Sequence, residues 1–131
     1  HWEEYGTAQD LFSLSVDVEA YRSLHRVQRL VIMVAREDGA PVGYHIHALR
    51  RHPHRDCLAS SDAVLYVKAY PIAKRGIVCR NLIRASRDHL LSIGVEMILC
   101  RAKDDHPIDG ILQHLGFKLM ERVYLYLGDK P

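Results

Sequence analysis

The residues best suited to chemistry lie between Asp62 and Arg80, in the run DAVLYVKAYPIAKRGIVCR. Lys74, Arg75 and Gly76 read as a short basic turn, and from Ile77 the pattern becomes helical. The first N–H groups of a helix have no internal partner, and the helix dipole adds partial positive charge there. A basic turn containing glycine in front of such a start suits an anion, phosphate above all. The plain alternative is an ordinary strand-to-helix connection with solvated arginines. Cys79 falls among Lys74, Arg75 and Arg80 at the helix start, where a thiol pKa is expected to drop. No His or Asp partner is placed beside it by the sequence, which argues against a covalent route. A stripe of Arg80, Arg84 and Arg87 would serve nucleic acid, but no aromatics interleave with it, and that argues against such a partner.

A second group is denser. His45, His47, His52, His54 and Cys57 crowd one stretch, and His45 and His47 share a strand face from which they can hold a metal. The spacing matches no standard zinc pattern, and His54 lies across a proline turn. A polar, half-exposed strand edge lining a substrate cleft is therefore the expectation, with no metal.

The elements that must carry these residues follow from periodicity. Asp17 is placed as a helix N-cap, with the helix running to about Val27 and Val18, Tyr21, Leu24 and His25 facing inward. Leu30–Ala35 reads as a buried strand, Glu37-Asp38-Gly39-Ala40 as a hairpin turn, and Val42–Arg50 as the return strand. Alternation there puts Val42, Tyr44, Ile46 and Ala48 on one face and Gly43, His45, His47 and Leu49 on the other. A third strand, Ala59–Ala69, runs into the central turn, with Pro71 as its stop. The following helix buries Cys79, Leu82, Ile83, Ser86, Leu90 and Ile93, and Gly94 ends it. Val95–Cys100 is a further strand, and Pro107 opens a short helix with Ile108, Ile111, Leu112 and Leu115 on its apolar face. Phe117–Leu127 is expected as a last strand, and residues 1–8 as the end of a helix. The predicted class is α+β (mixed α/β): a twisted sheet, mixed antiparallel and parallel, with helices on both faces. The third strand, central helix and next strand form a right-handed parallel βαβ unit.

Composition sets the frame. The 131 residues suit one domain, 1–131, and 48% hydrophobic content supports a real core. A net charge of +2 is too mild to demand nucleic acid. Three cysteines, at 57, 79 and 100, imply no disulfide framework, and a reducing cytosol is expected. No apolar run reaches the ~20 residues of a membrane span, and no secretory signal is visible. The chain opens at His1 without Met, so missing upstream residues are expected.

The predicted order, with the stretches Ala35–His47, Leu65–Ile83 and Ile111–Tyr126, resembles the GCN5-related N-acetyltransferase (GNAT) superfamily, and most closely its bacteriophage-encoded, acetyltransferase-like members. Leu115-Gly116-Phe117 matches the family's usual LGF. The resemblance implies acetyl-CoA as cofactor and an amine-bearing acceptor, small molecule or protein, with no membrane partner. It also implies a cytoplasmic place, in a bacterial host if phage-encoded. It makes Lys74–Arg80 the pyrophosphate loop: Lys74 stands at the Arg/Gln position, Ile77 and Cys79 at the two usual glycines, and Gly76 one place early. Backbone N–H groups of Lys74, Arg75, Gly76, Ile77, Val78, Cys79 and Arg80 would face the pyrophosphate, with Arg75 and Arg80 pairing to phosphate. Main-chain groups around Val67, Lys68 and Ala69 would pair with the pantetheine arm. Asp62 is the implied base, a partly buried carboxylate with a raised pKa acting through water. The family's thiolate-protonating Tyr is replaced by Leu112, leaving Tyr124 as implied acid, with Tyr126 beside it. The substituted loop glycines and Leu112 also fit an inactive GNAT-like module that binds CoA or a protein partner.

Overall fold

In a computed structural model, residues 16–103, 108–126 and 128 are described. The expected helix end at residues 1–8 lies outside them. Helix α1 (Val18–Arg26) starts where the Asp17 side chain accepts a hydrogen bond from the Ala20 N–H at 2.9 Å. It buries no residue, so Val18 and His25 do not face inward as expected. Strand β1 (Leu30–Glu37) turns through Asp38 and Gly39, at φ 50° and 81°, into β2 (Ala40–Arg51). Two successive positive φ values make the hairpin turn that Asp-Gly favours. β1 is an edge strand with alternating burial rather than a strand buried on both faces.

Strand β3 (Leu58–Val67) pairs antiparallel with β2, and β4 (Met97–Leu99) pairs parallel with β3, giving the order β1-β2-β3-β4. One irregularity matters. Ile46 faces Val64 and His47 faces Asp62, so Ala63 is an extra residue without an opposite number. Such a bulge breaks the period of two. It turns Asp62 onto the same face as His45 and His47, while Tyr66 remains on the other face opposite Tyr44.

Helix α2 (Ile72–Ser92) covers that His-bearing face and touches β1, β2 and β3. It starts at Ile72, directly after Pro71, rather than at Ile77, so no basic turn exists at residues 74–76. The Arg75 N–H already bonds the Pro71 carbonyl at 3.0 Å. Gly76 costs a helix about 1 kcal/mol, and the burial of Cys79, Leu82, Ile83, Ser86 and Leu90 outweighs it. Gly43 lets the helix seat: a Cβ there would stand 2.8 Å from the Tyr66 carbonyl oxygen and 3.1 Å from Leu82. Helix α1 lies on the opposite face, where burial, then Tyr66 and Tyr21, raise the Tyr44 phenol pKa. Gly94 and Gly116, at φ 90° and 89°, follow α2 and α3 (Asp109–His114) as expected of helix-ending glycines.

The expected last strand is absent from residues 117–126, which form neither helix nor ladder. The alternation is present in the sequence, yet Leu119, Met120, Val123, Tyr124, Leu125 and Tyr126 are all exposed, so neither face of that stretch is buried. The apolar core has two parts. Val67, Cys79, Leu82, Ile83 and Leu112 form one, and Val31, Leu49, Leu90 and Val95 the other. Ser86 lies between them on α2, and His45 and His47 lie between Gly43 and Leu49 on β2.

Candidate functional site

That polar layer between two apolar clusters is where the structure concentrates chemistry. His45 is 1% and His47 0% exposed, so the expected half-exposed strand edge is replaced by burial under α2. Their face is the one that alternation assigned; what alternation left open was which face the helix covers. His45 Nδ1 lies 2.9 Å from Ser86 Oγ and 3.3 Å from His47 Nε2. His45 Nε2 is 3.9 Å from Asp62 Oδ2. Burial, then the neighbouring His45, push the His47 pKa down to about 4. Burial, then Asp62, push the Cys100 thiol up to about 12.

Asp62 is 7% exposed and sits where two strands part. Up to Ser61 and Leu99 the β3–β4 ladder holds. Past it, the Arg101 N–H donates to both Asp62 oxygens at 3.1 Å, so a carboxylate stands in for a main-chain carbonyl. Arg101 Nη1 also donates to the Asp62 carbonyl at 2.8 Å and to Ser61 Oγ at 3.0 Å. From Val64 to Val67, β3 is laddered to β2 but not to β4. The Lys68 N–H bonds Val42 O at 2.9 Å. By alternation, the main-chain groups of Val67 and Ala69 point to the opposite, open edge. The Val67 carbonyl there accepts from Arg75 Nη2 at 3.2 Å.

Next to this edge stands the N-terminus of α2. Its amides at Ile72, Ala73 and Lys74 precede the first helical bond; no side chain caps them, and the first turn holds no acidic residue. The amides from Arg75 to Arg80 belong to the helix itself, each with its partner four residues back, so they do not form the expected anion grip. Neither loop substitution fills a pocket. Ile77 is half exposed, and Cys79 is buried in the core. Burial pushes the Cys79 thiol up to about 11 against the pull of Arg75, the reverse of the expected activation. Gly76 and Val78 lie half-buried within the helix.

Lys74, Arg75 and Arg87 are already engaged. Lys74 Nζ donates to Glu37 at 2.6 Å and lies 4.2 Å above the Tyr70 ring, and Tyr70 Oη donates to the same carboxylate at 2.5 Å. These hydrogen bonds, Lys74 first, hold the Glu37 carboxyl below its ordinary pKa. Tyr70, Lys74, Glu37 and Val42 line a groove with Val78 and Asn81. Lys68 Nζ is 5.1 Å from the Tyr70 ring centroid. Arg80 is half-buried, with no partner for its Nε among the described residues, and Arg87 donates to the Leu115 carbonyl at 2.7 Å, so these two arginines are drawn into the fold rather than set out as a free stripe for nucleic acid. Tyr124 is 86% exposed on the unpaired segment. Sequence alone does not bring His45, Cys100 and Arg101 to Asp62, or Ser86 to His45; the one signal of that layer is the unbroken buried periodicity of α2, which carries Ser86.

No protein-family profile matches the chain, and no curated protein matches it in sequence. Solved structures do match in shape. Glucosamine-6-phosphate N-acetyltransferase from Arabidopsis thaliana superposes with TM-score 0.70 at 15% identity, covering 92% of this chain and 85% of that one. An aminoglycoside acetyltransferase from an uncultured soil metagenomic sample, in complex with sisomicin, gives 0.67 at 18% identity, covering 92% and 78%. The aminoglycoside acetyltransferase AAC(6')-Iy, in complex with a CoA-acetylneamine bisubstrate analogue, gives 0.67 at 20%, covering 95% and 88%. No helix among the described residues is long and apolar enough to cross a membrane. The α+β chain, with its four-stranded mixed sheet, has the fold of the GNAT acetyltransferases.

Proposed function

We propose that this chain transfers an acetyl group from acetyl-CoA to an amine, by direct attack of the free amine on the thioester. One observation carries the reading: β3 and β4 separate at Asp62, beside an uncapped start of a 21-residue helix. An open strand edge fits an extended amide-bearing arm, and exposed helix amides fit a diphosphate. The shared fold supports this use of the site, and structural neighbours are solved with CoA or a CoA analogue.

In this reading, main-chain groups of Val67 and Ala69 bind the pantetheine amides. Arg75 releases the Val67 carbonyl as they do so. The Ile72, Ala73 and Lys74 amides hold the pyrophosphate, in place of the 74–80 loop, with the Lys74 and Arg75 side chains adding charge. Acetyl-CoA supplies the activated acetyl group. The Asp62 carboxylate, fixed by the Arg101 N–H, takes the proton of the acceptor ammonium through a water. With Tyr124 exposed, the departing thiolate takes its proton from solvent. The acceptor class is a primary amine on a sugar, polyamine, peptide or protein lysine, and a host-cell setting follows the phage-type resemblance.

A free-thiol assay with acetyl-CoA against mixed amines tests the proposal, alongside calorimetry with acetyl-CoA alone. CoA release that depends on an amine is the expected result. Binding without turnover would leave a CoA-binding module, and absence of binding would remove the donor as well as the reaction.

A further inference from the structure

The polar layer is incompletely satisfied. His45 Nε2 and His47 Nδ1 are buried without a hydrogen-bond partner among the described residues. The two rings meet instead through His45 Nδ1 and His47 Nε2, 3.3 Å apart, which leaves the far nitrogen of each ring unmatched and makes the metal-free layer a costly arrangement. A third group faces the same space: one ligand atom each from His45, His47 and Cys100 all lie within 4.8 Å of one another. His45 and His47 come from β2 and Cys100 from the residue directly after β4, so the sheet itself fixes their spacing.

We propose that His45, His47 and Cys100 form a binding site for a divalent transition metal of the zinc class. Two imidazoles and a thiolate are the donors such borderline-soft ions favour. A tetrahedral ion with bonds of about 2.0–2.3 Å needs donor separations of roughly 3.3–3.8 Å. Two ring nitrogens, His47 Nε2 and His45 Nδ1, already stand 3.3 Å apart, and the full set closes by an inward shift of about 1 Å. Asp62, 3.9 Å from His45 Nε2, is beyond hydrogen-bond length but faces the far nitrogen of that ring, where a small shift lets it accept the Nε2 proton and orient an imidazole that ligates through Nδ1. Charge balances as well: a dication with one thiolate and the Asp62 carboxylate leaves the buried cluster neutral. The inference stands independently of acetyl transfer.

Cobalt(II) titrated into the EDTA-treated full chain is the test. One Co²⁺ per chain is expected, with a thiolate charge-transfer band that is lost in Cys100→Ser and kept in Cys57→Ser. Zinc should displace it. At a hundredfold excess over Kd, zinc should raise Tm by about 10 °C. Should Cys100→Ser not fold, the wild-type chain still decides, because zinc should slow iodoacetamide alkylation of Cys100, mapped by mass spectrometry, at least tenfold. A spectrum without a thiolate band overturns the site. So does a band that survives in Cys100→Ser or vanishes in Cys57→Ser, which would put the ion on the exposed His52–His54–Cys57 loop, or unchanged alkylation of Cys100.

Discussion

Beneath α2, the residues Gly43, His45, His47 and Leu49 of β2 are all buried, while on the opposite face Ile32 and Val34 of β1 stay 49% and 43% exposed and α1 buries nothing. The same strands thus serve two different purposes. One face carries the long helix, both apolar clusters and the buried His45, His47, Asp62 and Cys79. The other carries a short helix and a pair of tyrosines, Tyr44 and Tyr66, with ring centroids 5.4 Å apart. Chemistry needs fixed geometry, and in this fold geometry is fixed where burial is deepest. The lightly covered face contributes scaffold alone.

That contrast breaks first at Asp62. Asp62→Asn keeps an acceptor for the Arg101 N–H but removes the base, so acetyl transfer should fall by about a thousandfold, ~4 kcal/mol of barrier, with the fold retained. Unchanged turnover in a coupled thiol assay would strip the loaded face of its catalytic role. Next comes acid. The His47 pKa is about 4 in the fold, against 6.5 unfolded. Between those values the unfolded chain binds the proton and the folded chain does not. The stabilisation is complete above pH 6.5 and lost as pH falls to about 4, roughly 3 kcal/mol in total. Urea melts of EDTA-treated protein should show this slope, and His47→Asn should flatten it. Gly43→Ala pushes a Cβ against the Tyr66 carbonyl and should cost about 1–3 kcal/mol by the same melts. The smallest effect belongs to the other face: Asp17→Ala removes the α1 cap and should cost about 1 kcal/mol or less. If the last two reversed order, the two faces would not differ as argued.

Much of the frame was legible because its signals are local. The Asp38-Gly39 hairpin, the Asp17 cap, the helix-ending Gly94 and Gly116, and the apolar stripe from Cys79 to Leu90 all act within a few residues. The start of α2 was misread because Gly76 resembles a turn signal, while the helix is held by packing that begins three residues later. The site was legible only in part. Asp62 stood out as an acidic residue in a strand, but its turn onto the His face depends on a bulge, and a bulge has no signature in strict alternation. His45 read as polar and half-exposed, because the burial that governs it comes from Ser86, 41 positions away. The last strand failed for the opposite reason: residues 117–126 have the right alternation and no surface to cover.

The extra residue at Ala63 has a consequence for how this protein can change. Strand faces alternate one residue at a time, so deleting that single residue would leave Val64 opposite Ile46 and Asp62 opposite His47, now in a regular ladder. The carboxylate would keep its place beside the histidines, and what would go is the local bend and added twist with which β3 passes the point where β4 departs. A one-residue deletion within the strand, rather than any substitution, is the shortest path by which this scaffold could reshape its open edge without moving its acid.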